Sequence, residues 1–287
     1  ATKITGKGSV RMSNAPKTVL AIHDLPGFGR AALSVIVPVL SALGVQAVAL
    51  PTAVLSTHTG GLGTPAKLSN PGYGPAALDH YHRLGLQFDC IYSGYLADSA
   101  QAHLVEQAFN LWPNALKVVD PVMGDGGQMY RGLSADLVQA MQTLCARADV
   151  IVPNMTEAAL LLGDELPGVQ GAEQAAGQAA RLTKLAPEVV VTGVTGLSDG
   201  RCIGCVGAGR GGAGYCVKTP MIPRLYHGTG DIFAAVLVGR MLQGNVPQAA
   251  VQAAAAFVAE CIRQTPEGAD ERLGVWLEAA LPKLMPR

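Results

Sequence analysis

His227-Gly228-Thr229-Gly230-Asp231, running straight into the apolar stretch Ile232 to Leu242, is the segment from which the rest of this chain is best read. It reads as a glycine turn opening a helix. The first backbone N–H groups of such a helix have no partner inside it and point together at one spot, with the positive end of the helix dipole behind them. Glycine at 228 and 230 lets the backbone approach a ligand with no Cβ in the way, and Asp231 sets a carboxylate beside that anion site. An anion hole next to a base points to phosphoryl transfer to a hydroxyl. The same residues also describe an ordinary helix N-terminus, capped by Thr or Asp with an acid favoured in the first turn. The surrounding chain has to separate the two.

Upstream, short apolar runs alternate with helical patterns. Val19-Leu20-Ala21-Ile22 is a run of the buried-strand type, and Pro26-Gly27-Phe28-Gly29 is expected to turn the chain into a helix from Ala31 to Leu43. Further strands are expected at Val45 to Leu50, Cys90 to Ser93, Lys117 to Asp120, Val150 to Pro153 and Val189 to Thr192. Helices should fill Pro75 to Leu84, Asp98 to Leu111, Ser134 to Cys145, Thr156 to Leu162 and Gly171 to Leu185. Strands apolar on both faces and separated by helices imply an α/β fold, with a mostly parallel sheet covered on both sides. Ser198 to Lys218 breaks the alternation with two β-rich pieces and no helix between them, which fits an antiparallel hairpin. Ala-rich helices at Ile232 to Gln243, Val246 to Gln264 and Leu273 to Leu284 complete the chain. No internal repeat or linker divides it, so residues 18–287 read as one domain behind a polar, disordered leader of residues 1–17.

The 287 residues carry 21 basic and 21 acidic side chains, with no dense Lys/Arg block of the kind that tracks nucleic acid or an anionic membrane. No apolar run approaches the ~20 residues of a bilayer span, and the first residues lack a signal-peptide pattern, so a cytoplasmic protein is expected. The cysteines at 90, 145, 202, 205, 216 and 261 are scattered, as for buried thiols. Cys202 and Cys205 form a C-x-x-C without the second pair zinc needs, so a β-hairpin is the simpler reading.

Polar groups at strand ends are the candidates for chemistry, because ligands of parallel sheets gather at the carboxyl edge. Asp120 is followed by Pro121-Val122-Met123-Gly124-Asp125, and Asp120 with Asp125 beside a glycine turn could hold Mg²⁺ near phosphates; a turn using Asp for local backbone bonds is the alternative. Asn154 and Glu157 share a helix face and could orient a metal-bound water, and their spacing is equally that of a capping box. Thr192-Gly193 could offer a hydroxyl or an amide to a nucleotide. No Walker A sequence is present, so a kinase built on this chain would have to cradle phosphate at Gly228 to Asp231. The run Gly207-Ala208-Gly209-Arg210-Gly211-Gly212 satisfies G-x-G-x-x-G but leads into a strand, so a dinucleotide site fails on context.

Taken together, these motifs resemble the ribokinase-like superfamily and, within it, the pyridoxal (vitamin B6) kinases, from about Thr18 to Thr265. The matching pieces are Ile22-His23-Asp24 with Gly27-Phe28-Gly29, Leu55 to Gly60, Ser93-Gly94-Tyr95, Val119 to Asp125, Pro153-Asn154 with Glu157, Val191-Thr192-Gly193, and Gly228 to Asp231. The resemblance implies a three-layer α/β/α sandwich with an antiparallel edge hairpin. It implies Asp231 as the base toward the 5′-hydroxyl of a B6 vitamer, with Gly228, Thr229 and Gly230 binding the transferred phosphoryl group. Asp120, Asp125, Asn154, Glu157, Thr192, Gly193 and Thr229 would form the ATP side, with Asp120 and Glu157 toward Mg²⁺ and a monovalent cation such as K⁺ as a further candidate. Asp24, Phe28, Ala53, Leu55, His58, Thr59 and Tyr95, together with Asp231, would line the vitamer site. Gly124 to Gly132 resembles a lid over ATP, and a homodimer is the family's assembly.

One departure stands out. Well-known pyridoxal kinases carry Gln-Ser where this chain has His23-Asp24, and a carboxylate there favours a substrate bearing an amine or a protonated ring nitrogen. Pyridoxamine or pyridoxine is therefore expected to be handled at least as well as pyridoxal. Hydroxymethylpyrimidine kinase is the nearest rival, sharing fold, base and anion hole. A silent ATP- or pyridoxal-phosphate-binding protein and a nicotinamide-dependent oxidoreductase are more distant ones.

Overall fold

The computed structural model describes residues 15–130, 133–166, 171–198 and 200–285. Strand β1 (Thr18–Phe28) leads through α1 (Leu33–Ala42) to β2 (Gln46–Thr57) and a short β3 (Lys67–Leu68). There follow α2 (Tyr73–Arg83), β4 (Cys90–Ser93), α3 (Ser99–Leu111), β5 (Leu116–Val119), a small hairpin of β6 (Gly124–Asp125) and β7 (Gln128–Met129), and α4 (Ala135–Cys145). The chain continues through β8 (Val150–Ile151), α5 (Met155–Leu162), α6 (Ala172–Leu182), β9 (Glu188–Leu197), β10 (Cys202–Gly209) and β11 (Tyr215–Pro220). Helices α7 (Thr229–Leu242), α8 (Pro247–Gln264) and the short α9 (Leu277–Ala280) close it.

Nine strands form one sheet in the order β11-β10-β9-β8-β5-β4-β1-β2-β3. The span from β2 to β9 is parallel throughout, while β10 pairs antiparallel with both β9 and β11 at one edge and β3 pairs antiparallel with β2 at the other. Side-chain alternation along the strands divides the core in two. Leu20, Ile22, Ile91 and Val119 pack against α2 to α6, and Val19, Ala21, Tyr92 and Val118 pack against α1, α7, α8 and α9. The molecule is thus the expected sandwich, with an antiparallel hairpin at one edge. Strand order reverses between β1 and β4, and the loops leaving those two strands open the crevice where such sheets bind ligands.

Several boundaries differ from the sequence reading, each for a physical reason. Pro26-Gly27-Phe28 does not turn the chain: β1 runs on to Phe28, pairing Pro26 with Leu55 and Phe28 with Thr57. Strand β2 likewise continues past Pro51, so that Ala53 and Leu55 lie in the sheet. The two strands slip register between His23 and Leu25, where Thr52 and Ala53 of β2 stand opposite the single residue Asp24 of β1, so the bulge lies on β2. Thr192-Gly193 does not end β9; Gly193, at φ +68°, kinks the strand where its ladder to β10 shifts, and pairing resumes at Val194. Helix α9 is shorter than the expected Leu273 to Leu284, with brief 3₁₀ turns on either side. The leader's residues 1–14 lie outside the described residues. Lys17 is tied down, its carbonyl accepting from Gln46 N–H at 2.8 Å and its ammonium 3.1 Å from Asp89.

The glycine run belongs to the edge hairpin, with Gly207 opposite Tyr215. Cys202 and Cys205 sit on β10 and, three residues apart on a strand, face opposite layers. A Cβ on Gly207 would stand 2.0 Å from Tyr215 Cζ. Gly207→Ala is therefore expected to lower stability by about 1–3 kcal/mol, read from urea unfolding; an unchanged midpoint would show that close approach here is not required.

Candidate active site

Gly228 opens α7 in the left-handed region at φ 81°, and a Cβ there would meet the Arg30 carbonyl oxygen at 2.0 Å, so only glycine fits. The first bond within α7 runs from Ile232 N–H to the Gly228 carbonyl. Neither Thr229 nor Asp231 caps the helix. Thr229 donates its hydroxyl to the Tyr226 carbonyl at 3.2 Å, and Asp231 turns away to the end of β1.

There Asp231 is held at both oxygens. Oδ2 accepts from Ala32 N–H at 2.7 Å, and Oδ1 lies 3.1 Å from His23 Nε2. Ala32 adopts φ 53°, a conformation that costs a non-glycine residue about 1–3 kcal/mol, as backbone strain at functional sites does. His23 is buried, and its other nitrogen, Nδ1, lies 2.7 Å from Asp24 Oδ1. Burial disfavours the charged ring, but hydrogen bonds and charge from Asp231 and Asp24 outweigh it, raising the pKa from 6.5 to about 10. Each ring nitrogen also faces a backbone N–H, from Asp24 at 2.9 Å and Tyr95 at 3.2 Å. A ring protonated at both nitrogens donates to both carboxylates, whereas a neutral ring accepts at one nitrogen from the amide facing it.

On the other side of the crevice Asp120 ends β5 and Glu157 begins α5, both buried. Asn154 and Glu157 form the capping box: Asn154 Oδ1 accepts from Glu157 N–H at 2.9 Å, and Glu157 Oε2 accepts from Asn154 N–H at 2.8 Å. The alternatives posed by the sequence are therefore compatible, since Glu157 Oε1 also accepts from Met123 N–H at 3.1 Å and Asn154 Nδ2 donates to the Gly124 carbonyl at 2.7 Å. Through these bonds the β6–β7 hairpin, the start of the lid-like segment, is fastened to α5; Arg131 and Gly132, at that segment's end, lie outside the described residues. Asp125 is on β6, and its carboxylate accepts from Gly126 N–H at 2.8 Å. Thr192 lies beside Asn154 and donates its N–H to the Pro153 carbonyl at 2.9 Å.

Burial and then the charge of Asp231 push Asp120 up to about 7, partly offset by His23. Burial and then Asp120 hold Glu157 well above the usual carboxylate range, against its two amide bonds. Two buried carboxylates, Glu157 raised in part by the charge of Asp120, suit a divalent cation. Among the described residues no three His, Cys, Asp or Glu side chains converge on a metal. Mg²⁺ characteristically binds one or two carboxylates and takes its other ligands from water and phosphate, and with both Glu157 oxygens engaged by amides, Asp120 is the better direct ligand.

The residues assigned to the vitamer side fall along β1, β2 and the end of β4. Asp24, Ala53, Leu55 and His58 are buried, Phe28 and Thr59 exposed, and Tyr95 half-buried. His58 is held by backbone at both nitrogens, Nε2 lying 2.6 Å from the Arg272 carbonyl and Nδ1 accepting from Gly60 N–H at 3.0 Å. The segment around Arg272 and Leu273 thus braces the substrate-side loop, a contact with no signal in the sequence. His23 was legible only as a departure from the family, not as the partner of Asp231. Tyr92 is a further group the sequence did not mark: its buried hydroxyl has no hydrogen-bond partner among the described residues, and the charges of Asp120 and Asp231 act on it.

Sheet order, helix layers and the position of the site define the ribokinase-like class. The family profile described as phosphomethylpyrimidine kinase matches residues 37–275, and the chain belongs to that family. The pyridoxal kinase PdxY of Rubrobacter xylanophilus is 29% identical over 86% of this chain and 87% of its own length. A Lactobacillus plantarum pyridoxal kinase structure is 34% identical, with a TM-score of 0.86 over 93% of this chain and 96% of that one. A Bacteroides thetaiotaomicron structure described as a putative phosphomethylpyrimidine kinase, in an orthorhombic form with pyridoxal, is 34% identical at a TM-score of 0.88, covering 95% of this chain and 97% of that one.

Because Asp120 binds its proton more tightly folded than unfolded, its stability contribution is present below the unfolded value of 3.8 and lost as pH rises toward 7. Asp120→Asn should therefore raise the Tm of the ligand-free protein by several degrees at pH 8 and leave it nearly unchanged at pH 4. Thermal melts at the two pH values check this, and an equal shift at both would contradict it.

Proposed function

We propose that this chain transfers the γ-phosphoryl group of ATP to the 5′-hydroxymethyl group of a B6 vitamer, pyridoxal, pyridoxamine or pyridoxine, with Asp231 as the base. The carrying observation is the setting of Asp231: a carboxylate fixed at both oxygens, beside the first-turn amides of a glycine-opened helix, at the switch point of the sheet. The pyridoxal kinase names of the relatives and the pyridoxal-bound structure support a B6 acceptor over hydroxymethylpyrimidine.

The hydroxyl proton passes to Asp231 as the hydroxymethyl oxygen bonds to the γ-phosphorus; the bond from that phosphorus to the bridging oxygen breaks and ADP leaves. Such a loose transition state asks for positioning and charge neutralisation more than for a strong base. The amides of Thr229, Gly230 and Asp231, at the positive end of α7, stabilise charge on the moving phosphoryl group. Asp120, and Glu157 through water, would hold Mg²⁺, which supplies charge neutralisation at the phosphates when bound. Asn154, Asp125, Thr192 and Gly193 frame the nucleotide side. A monovalent cation such as K⁺, a homodimeric assembly and a cytoplasmic location are further parts of this reading, drawn from the family resemblance. No helix among the described residues is long and apolar enough to cross a membrane.

Asp231→Ala should keep the fold, checked by circular dichroism, and lose ATP-dependent phosphorylation of pyridoxal by about 10²- to 10⁴-fold in kcat, the usual scale for a positioned base. Retained turnover, or a hydroxymethylpyrimidine turned over in strong preference to all three vitamers, would overturn the reading.

A further inference from the structure

The pair His23-Asp24 stands on β1 where its register with β2 shifts, and the geometry around it forms a chain of contacts ending at the base. Asp24 Oδ1 lies 2.7 Å from His23 Nδ1, and His23 Nε2 lies 3.1 Å from Asp231 Oδ1. The ring has almost no exposure, and its bed is shaped for it: a Cβ on Gly94 would fall 2.1 Å from His23 Cδ2 and 2.2 Å from Nε2. Glycine at the end of β4 therefore makes the space in which the ring lies. The Tyr92 ring lies across from it at 6.5 Å between centroids.

We infer that His23 is a positioning residue for phosphoryl transfer, a ring fixed by Asp24 that orients the Asp231 carboxylate toward the acceptor hydroxyl. The inference rests on Asp231 being the base. A free carboxylate rotates about its terminal bond, and misplacement of a reacting group by about 1 Å can cost on the order of 10²-fold in rate. With Oδ2 on the Ala32 amide and Oδ1 on His23, Asp231 has one defined orientation, and each oxygen keeps a lone pair for the substrate's proton. His23 also places a positive charge among Asp24, Asp120 and Asp231, which eases the approach of a polyphosphate. Asp24 then acts on the chemistry through the ring, and its buried side chain is committed to His23 at one oxygen.

The groups facing the ring define its pH behaviour. They are Asp24 on β1, Asp231 on α7, Asp120 at the end of β5, Tyr92 on β4 and Tyr95 just beyond it. Both tyrosines are raised above their ordinary value of 10.0, by burial first. The ring's raised pKa supports an imidazolium through neutral pH.

The test measures kcat and KM for ATP and pyridoxal across about pH 6 to 10.5, a window that brackets the ring's titration, in the wild type and in His23→Ala, His23→Gln, Asp24→Asn and Gly94→Ala. His23→Ala should lower kcat by about 10- to 100-fold with KM for ATP changed by less than about three-fold, and His23→Gln, which can still donate to Asp231, should recover part of the loss. Gly94→Ala displaces an intact ring, so its loss should not add to that of His23→Ala. Wild-type kcat should fall as pH rises through about 10; that limb should vanish in His23→Gln and move to lower pH in Asp24→Asn. Independently of activity, ¹⁵N-histidine NMR of the wild type should show a ring doubly protonated above about pH 8 whose signal is missing from His23→Gln. If His23→Ala keeps wild-type kcat and pH profile, or if no histidine stays protonated above that pH, the inference is overturned. Failure of Asp231→Ala to lose activity would sink the parent reading as well, whereas an inactive Asp231→Ala beside an active His23→Ala would sink this inference alone.

Discussion

Crowding of negative charge at the carboxyl edge of the sheet is the constraint on which this molecule turns. Asp24, Asp120, Glu157 and Asp231 converge there from separate parts of the chain, and burial makes their mutual repulsion expensive. His23 relieves one side of the cluster by bridging Asp24 and Asp231. The other side, Asp120 with Glu157, keeps its strain, visible in carboxyl groups that hold protons well above their usual range. A site strained in this way favours arrival of cationic charge, and nucleotide phosphates carry divalent cations with them. The destabilisation of this site and its attraction for cationic charge therefore have one cause.

The rest of the fold serves to hold that cluster in place. Parallel strands bring Asp24, Tyr95, Asp120 and Asn154 to a common edge because every crossover returns the chain through a covering helix. Helix α7 then delivers Asp231 from the opposite layer, and Gly228 allows its first turn to press against Arg30. Ala32 accepts a strained backbone to offer its amide. Two local irregularities near the site, the left-handed Gly228 and the positive φ of Ala32, bring the start of α7 and a backbone N–H together at Asp231.

Much of this was legible in the sequence. Runs such as Val19 to Ile22 and Cys90 to Ser93, apolar on both faces, have few alternatives to a buried parallel strand, and the glycine turn before Ile232 marks a helix start whose amides are free. Pro26-Gly27-Phe28 misled, because Pro and Gly ordinarily break a strand; here β1 has already passed the end of β4 and needs only β2 as a neighbour. Thr192-Gly193 misled in the same way, since a glycine inside a strand marks a kink as readily as an end. The capping box of Asn154 and Glu157 was correctly paired, and its second set of bonds to Met123 and Gly124 was hidden because loops far apart in sequence carry no periodic signal. His23 shows the limit most clearly. Nothing in its neighbourhood announces Asp231, and its meaning arises only when β1 and α7 meet in space.

The central claim is that Asp231 receives the acceptor's proton while the start of α7 faces the transferred phosphoryl group. A structure with a non-hydrolysable ATP analogue and pyridoxal bound together addresses it directly. The account predicts the 5′-hydroxymethyl oxygen within hydrogen-bond reach of Asp231, about 2.6–3.2 Å, and the terminal phosphate against the amides of Thr229 to Asp231. A vitamer whose hydroxymethyl group points away from Asp231, with the terminal phosphate seated elsewhere, would contradict it.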